Sequence, residues 1–203
     1  MIRKKVFLVN EKKCLLLTKK GYDRMSYTMD LTILDGNCVK IKGKKASLVI
    51  DPSQKTPKTP ADVILLLNKN GAVDRVEGFR LVVDDDGEYE VGGVKITGAS
   101  SLNSGIFYNI NVDNTQVILA KTSTLEKLSD TANEAQVALL NVDSSLNEAI
   151  IASLEAKVIV LYGERANEGL KALGKQDLES VRKISVGREK LPEESETQIV
   201  WLD

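Results

Sequence analysis

The chain has 203 residues, 42% of them hydrophobic and 28% charged, the proportions of a single soluble globular domain long enough to bury a sizeable core. Its net charge is −1, so no bulk field favours an anionic membrane, and nucleic acid is not an expected partner. It contains no histidine, which excludes Ser-His-Asp, Cys-His and His-rich metal chemistry, because these need a side chain titrating near neutrality or an imidazole ligand.

Cys14 and Cys38 are too few and too scattered for a disulfide framework or a zinc knuckle, and a reduced, cytoplasmic setting is expected. No apolar run approaches the ~20 residues needed to span a bilayer.

Residues 1–24 differ from the rest. Arg3, Lys4, Lys5, Lys12, Lys13, Lys19, Lys20 and Arg24 stand there against only Glu11 and Asp23. Two short apolar runs, 6–9 and 14–18, flank a turn at 10–13, so this basic extension reads either as a hairpin or as a disordered leader. Its apolar runs are too short and too interrupted for a secretion signal. Residues 25–203 are expected to form the domain proper.

From residue 31 strands dominate. "LTIL", "CVKIKG" and "ASLVIDP" are three segments, the middle one alternating Val39 and Ile41 against Lys40 and Lys42. "SQKTPKTPAD" is a polar connector that Pro57 and Pro60 keep extended. An apolar strand over 61–67 follows, interrupted only by Asp62. "RLVVDDDGEYEVGGVKITGAS" predicts three strands joined by an acidic turn and a Gly92-Gly93 turn. "GIFYNINVDNTQVILAKT" predicts a hairpin about Asp113-Asn114.

The pattern then becomes β/α. "AQVALLNVD" reads as a buried strand and "KVIVLYG" as another. Between them "SLNEAIIASLEA" is an amphipathic helix with Leu146, Ile150, Ile151 and Leu154 on one face. "NEGLKALGK" and "DLESVRK" are expected as short helices. "SETQIVWLD" is the last strand, and its Trp201 and Leu202 are expected to return to the sheet begun near residue 31.

In this order "LTILDGNCVKIKGKKASLVIDP", "ADVILLLNKN", "GEYEVGGVKITG", "KVIVLYG" and "LPEESETQIVWL" together resemble the metallo-β-lactamase-fold hydrolases, and among them the short Zn-dependent hydrolase-like group. The resemblance covers about residues 30–203. It implies an α/β fold, a four-layer αββα sandwich with a metal site at one edge between the sheets. The family's first motif, Gly-His-Ser or Gly-His-Ala, falls on Gly36-Asn37-Cys38, while its Asp-Pro is retained as Asp51-Pro52. Its main motif, His-x-His-x-Asp-His, falls on Asn68, Lys69, Asn70, Gly71, Ala72 and Val73. The next ligand histidine falls at Asn103, the bridging aspartate at Lys121-Thr122, and the last histidine at Gly163 or a neighbour. None of these positions keeps its ligand.

A carboxamide is neutral and a poor zinc ligand, so metal-activated water is not expected and no cofactor or metal is assigned. The resemblance therefore implies a catalytically inactive pseudoenzyme with a binding or structural role. The rival reading is an active hydrolase with a rebuilt, non-histidine site. That site would use Lys69, Lys121 and the asparagines at 37, 68, 70 and 103, or a hard cation held by backbone oxygens and aspartates, of which Asp35, Asp74 and Asp143 are nearest in sequence. Asn37, Asn68, Asn70 and Asn103 stand where the family has histidine, and amides could bond one another there. They form either a polar pocket that takes a ligand or a collapsed, self-satisfied remnant, and collapse is favoured because buried polar groups usually pair. The basic extension is the expected contact for a protein partner with an acidic face, or for self-association by strand addition.

Other features have plainer readings. Asp84-Asp85-Asp86-Gly87-Glu88 lacks the ligand spacing of a calcium loop and reads as a turn. Gly92-Gly93 precedes a strand and not a helix, so it is no phosphate loop. Cys38, with no histidine to activate it, reads as a small buried hydrophobe.

Overall fold

The computed structural model describes residues 28–101, 105–125, 135–146, 148–187, 191 and 197–203. The basic extension, Asn103 and the 192–194 part of the lead into the last strand lie outside them.

The first half of the chain builds one sheet. Strands β1 (Thr28–Asp35), β2 (Cys38–Lys42) and β3 (Ser47–Ile50) form an antiparallel meander. The Pro-rich connector contributes β4 (Thr59–Pro60), and the apolar run after it forms β5 (Val63–Leu65), parallel to β3. A 3-10 turn, Val73–Arg75, leads to β6 (Val76–Glu77), which pairs with β4, and β7 (Leu81–Val83) lies parallel to β5.

The second sheet starts as a meander of β8 (Gly87–Val91), β9 (Val94–Ser101), β10 (Gly105–Val112) and β11 (Thr115–Lys121). The β10–β11 turn places Asp113 and Asn114 at φ 50° and 64°, the left-handed pair that a two-residue hairpin of this twist needs. After helix α1 (Thr122–Leu125) the sheet turns parallel: β12 (Val137–Asn141), helix α2 (Glu148–Ser153), β13 (Val158–Tyr162) and helix α3 (Ala166–Ala172). The chain then forms β14 (Lys183–Gly187) and β15 (Gln198–Trp201). The sheet orders are β14-β1-β2-β3-β5-β7 and β15-β13-β12-β11-β10-β9-β8.

Two expectations fail at the C-terminal end. The last strand does not join β1; it adds to the second sheet, parallel to β13. There Val200 and Leu202 enter the core between the sheets and Trp201 packs on the helical side. The strand that returns to β1 is β14, antiparallel, with Asp30 opposite Ser185. Asp30 accepts from the Ser185 hydroxyl at 2.6 Å and pairs with Lys183 at 2.7 Å. Nor is "DLESVRK" helical. Its Val181 N–H bonds the Trp201 carbonyl, and Lys183 already belongs to β14. The alternation Ile184/Val186 against Lys183/Ser185 was the signal for that strand.

The inner faces of both sheets share one apolar core, including Leu31, Ile41, Leu48, Leu65, Ile110, Leu119, Leu139 and Val160. The outer face of the second sheet is covered by Leu125, Ile151 and Leu170 of the three helices. The outer face of the first is covered, among the described residues, by Ala61 of the connector, Val73 of the 3-10 turn and Val76 of β6. This is the sandwich expected, with a thin outer layer on one side. No described helix is long and apolar enough to cross a membrane.

Tyr108 ties the two sheets together by a polar contact. It is fully buried on β10, and its hydroxyl lies 2.7 Å from the Leu66 carbonyl and 3.0 Å from the Val83 carbonyl of the opposite sheet. Val83 also accepts from the Leu66 N–H, so Leu66 O is the acceptor that depends on Tyr108. Tyr108→Phe should therefore destabilise the fold by about 1–3 kcal/mol, the cost of orphaning a buried carbonyl. Urea unfolding with an unchanged m-value checks it.

Candidate functional site: a polar cavity at the strand ends

Several strands end at the same edge of the sandwich. On the second sheet Lys121, Asn141 and Tyr162 lie in register at the C-terminal ends of β11, β12 and β13. The inward rows behind them, such as Leu119, Leu139 and Val160, are apolar, so each strand changes from core to polar chemistry at its last residue. On the first sheet β3 and β5 run directly into Asp51 and, after two more residues, Asn68. Parallel strands with this convergence are the usual ground for a site.

The residues brought together enclose a cavity of about 410 Å³. Asn37, Asn68 and Asn70 line it with Asp51, Lys121 and Asn141, and Asp143, Glu164 and Arg165 complete the far side. The described residues thus leave space at this edge. Ala72 and Val73 turn away from it: the Ala72 N–H bonds the Pro52 carbonyl at 2.6 Å, and Val73 packs under the first sheet. Thr122 is buried, and its hydroxyl bonds Asp143 and Ser144 and so anchors the 143–144 loop. Gly163, at φ 104°, has no side chain, but a Cβ built there would lie 3.2 Å from Asn37 Oδ1 and 3.3 Å from Asn141 Nδ2. A larger residue at 163 would therefore point at the Asn37–Asn141 pair.

Among the described residues, the asparagines of the cavity do not all bond one another. Asn141 donates to Asn37 Oδ1 at 3.3 Å, and Asn37 donates to Glu164 at 3.4 Å. Asn68 belongs to a different group. Its side chain donates to Asp51 Oδ2 at 3.3 Å, and its oxygen accepts from the Lys121 ammonium. Asn70 makes no hydrogen bond among the described residues. Asn141 was missed from sequence, although "ALLN" carries the signal that marked Asn68, an amide at the C-terminal end of an apolar strand.

Asp51 is the most constrained group of the site. It is 9% exposed and takes φ 44°. Its Oδ1 accepts from the Leu67 N–H at 2.8 Å and the Asn68 N–H at 3.2 Å. Burial raises its pKa to about 6, against these bonds and the Lys121 charge, which favour the carboxylate. Burial also pushes the Asp143 carboxyl up, but bonds from Ser123 and Thr122, with the charge of Lys121, hold it below the usual carboxylate range. Behind this layer the Tyr162 hydroxyl is fully buried without a hydrogen-bond partner among the described residues. Its burial raises the phenol pKa well above the ordinary value; the nearby Asn141 amide works against that rise but lies outside hydrogen-bonding geometry for the hydroxyl. Cys38 is buried, its thiol pushed up by that burial to about 12, so it is no nucleophile at neutral pH.

The zinc pair that the resemblance implies does not fit these residues. Lys121 brings an ammonium into the cavity, where it donates to the Asn68 amide oxygen. Among the described residues no three of His, Cys, Asp and Glu are grouped to hold a metal. Of Asp35, Asp74 and Asp143 only Asp143 lines the cavity. Asp35 instead closes the β1–β2 turn, accepting from the Asn37 and Cys38 N–H groups, Ser53 and Thr56.

The raised Asp51 pKa has a definite sign in stability. The folded state holds the proton more tightly than the unfolded chain, whose value is about 3.8. Its contribution is therefore most favourable below pH 4 and is lost as the pH rises to about 6, on the order of 3 kcal/mol. Asn tolerates the left-handed backbone of position 51. Asp51→Asn should abolish this component, seen as a wild-type-minus-variant stability difference that changes between pH 4 and pH 7 and is flat above.

No protein-family model matches the chain, and no curated protein does. Solved structures do. A protein from Thermotoga maritima described as a Zn-dependent hydrolase of the metallo-β-lactamase superfamily superposes with a TM-score of 0.66 at 23% identity, over 86% of this chain and 98% of that one. One from Parabacteroides distasonis described as a metal-dependent hydrolase gives 0.56 at 14% identity, over 87% and 94%. A metallo hydrolase from the archaeon Ignicoccus hospitalis gives 0.52 at 12% identity, over 78% and 98%. At these identities the likeness is one of architecture. The chain has the metallo-β-lactamase fold.

Proposed function

We propose that the chain is a cytosolic pseudoenzyme of the metallo-β-lactamase fold: a binding protein, with no hydrolytic chemistry, whose site is a metal-free polar cavity. The observation that supports this most is the Lys121 ammonium bonded to Asn68 beside the buried Asp51. One protein-borne positive charge holds together loops from both sheets, where the resemblance would put divalent cations. Water activation needs a Lewis acid or a general base beside the cavity. Asp51 accepts from the Leu67 and Asn68 N–H groups, Asp143 from Ser123 and Thr122, and Glu164 from the Asn37 amide, so each carboxylate lining the cavity already holds a protein donor. Contacts through the basic extension, with an acidic partner or a second copy, belong to the same proposal.

Three measurements test it. The untagged chain, dialysed after exposure to zinc, manganese and magnesium, should retain less than about a tenth of an equivalent of any metal. A full equivalent that disappeared in Asn68→Ala/Asn70→Ala would overturn the reading. Lys121→Met should destabilise the protein at pH 7 by about 1–3 kcal/mol, because it strips a partner from Asn68 and a counter-charge from Asp51. The same variant should also raise the Asp51 pKa further, which NMR titration of the carboxyl would show.

A further inference from the structure

The free hydrogen-bonding capacity of the cavity defines a ligand class; this inference rests on the metal-free binding reading above. Nearly every lining side chain spends one bond on a neighbour and keeps another. Lys121 uses one of its three N–H donors on Asn68, and Asn68 uses one of its two on Asp51. Asn37 gives one N–H to Glu164 and takes one from Asn141, which leaves a donor and a lone pair. Glu164 keeps its second oxygen, and the Asn70 amide is wholly unspent among the described residues. The wall therefore keeps both free donors and free acceptors.

Charge does not favour an ion. Asp51, Asp143 and Glu164 face the cavity against Lys121 and Arg165. A free anion would meet three carboxylates. A free cation would meet the Lys121 ammonium. Arg165 is already engaged, with Glu168 at 2.6 Å and the Asp143 carbonyl at 3.2 Å. A hydroxyl both donates and accepts and carries no charge, so it suits each of these positions. The volume, about 410 Å³, lies in the range of small-molecule sites, about 300–1,000 Å³. No aromatic side chain lines the cavity among the described residues, so a flat heterocycle would find no ring to stack on.

We propose that the cavity between the sheet edges binds a small neutral polyhydroxylated molecule, of monosaccharide or sugar-alcohol size, through Asn37, Asn68, Asn70, Lys121, Asn141 and Glu164. The test is calorimetric titration, paired with melting-temperature shifts, of the untagged full chain. The probes are myo-inositol, D-mannitol, D-glucose and D-galactose, with inorganic phosphate and L-lysine as charged comparators. At least one polyol should bind at one site per chain, about fivefold more weakly in Asn70→Ala, whose side chain holds no structural bond. Asn37→Ala is the second variant and should weaken the same probe. Phosphate or lysine binding in preference to every polyol would overturn the ligand class while leaving the metal-free binding reading intact. Polyol binding untouched by both variants, or no heat and no melting shift with any probe, would overturn the proposal. Stoichiometric zinc uptake would overturn the reading beneath it.

Discussion

The edge of this sandwich depends on the contact among Asp51, Asn68 and Lys121. A carboxylate at 9% exposure is costly unless paired. Here two backbone N–H groups, an amide and a nearby ammonium offset most of that cost, and a raised pKa is what remains. The three residues come from the ends of β3, β5 and β11, so one polar contact joins both sheets at the point where the apolar core stops. Tyr108 makes a comparable junction further inside, through the Leu66 carbonyl.

The same contact helps hold a polar cavity open at the sheet edges. Histidine or aspartate clustered without cations would repel one another or stay unsatisfied. Amides avoid this, since each carries donor and acceptor in a neutral plane. Asn37 and Asn141 pair across the cavity, Asn68 turns to Asp51 and Lys121, and Gly163 leaves room that a side chain would fill. Strand registry and loop bonds such as Thr122 to Asp143 fix the walls.

The fold itself survives at identities of 23% and below to the solved hydrolases. What carries it is the shared core of two sheets, whose requirements are apolar volume and period-two alternation. Site chemistry has no part in those requirements, which is why fold and activity can separate.

Local chemistry was legible in the sequence alone. The missing histidine is a matter of composition. The Asp113-Asn114 and Gly92-Gly93 turns need left-handed backbone that their own residues supply, at φ 50°, 64°, 60° and 82°. The buried strands read as apolar runs, and Asn68 and Asn70 stood out at the end of one of them. Partners distant in the chain were not legible. Whether "QIVW" joins β1 or β13 depends on which sheet offers an open edge, and the alternation of "KISVG" was masked by a helical reading of "DLESVRK". Asn141 was overlooked because its role exists only once β12 stands in register between Lys121 and Tyr162. The openness of the cavity, and the placing of Lys121 against Asn68, 53 residues apart, were likewise decided by tertiary structure. Sequence pattern specifies which face of a strand is apolar, but only packing of the two sheets determines what meets at their edge.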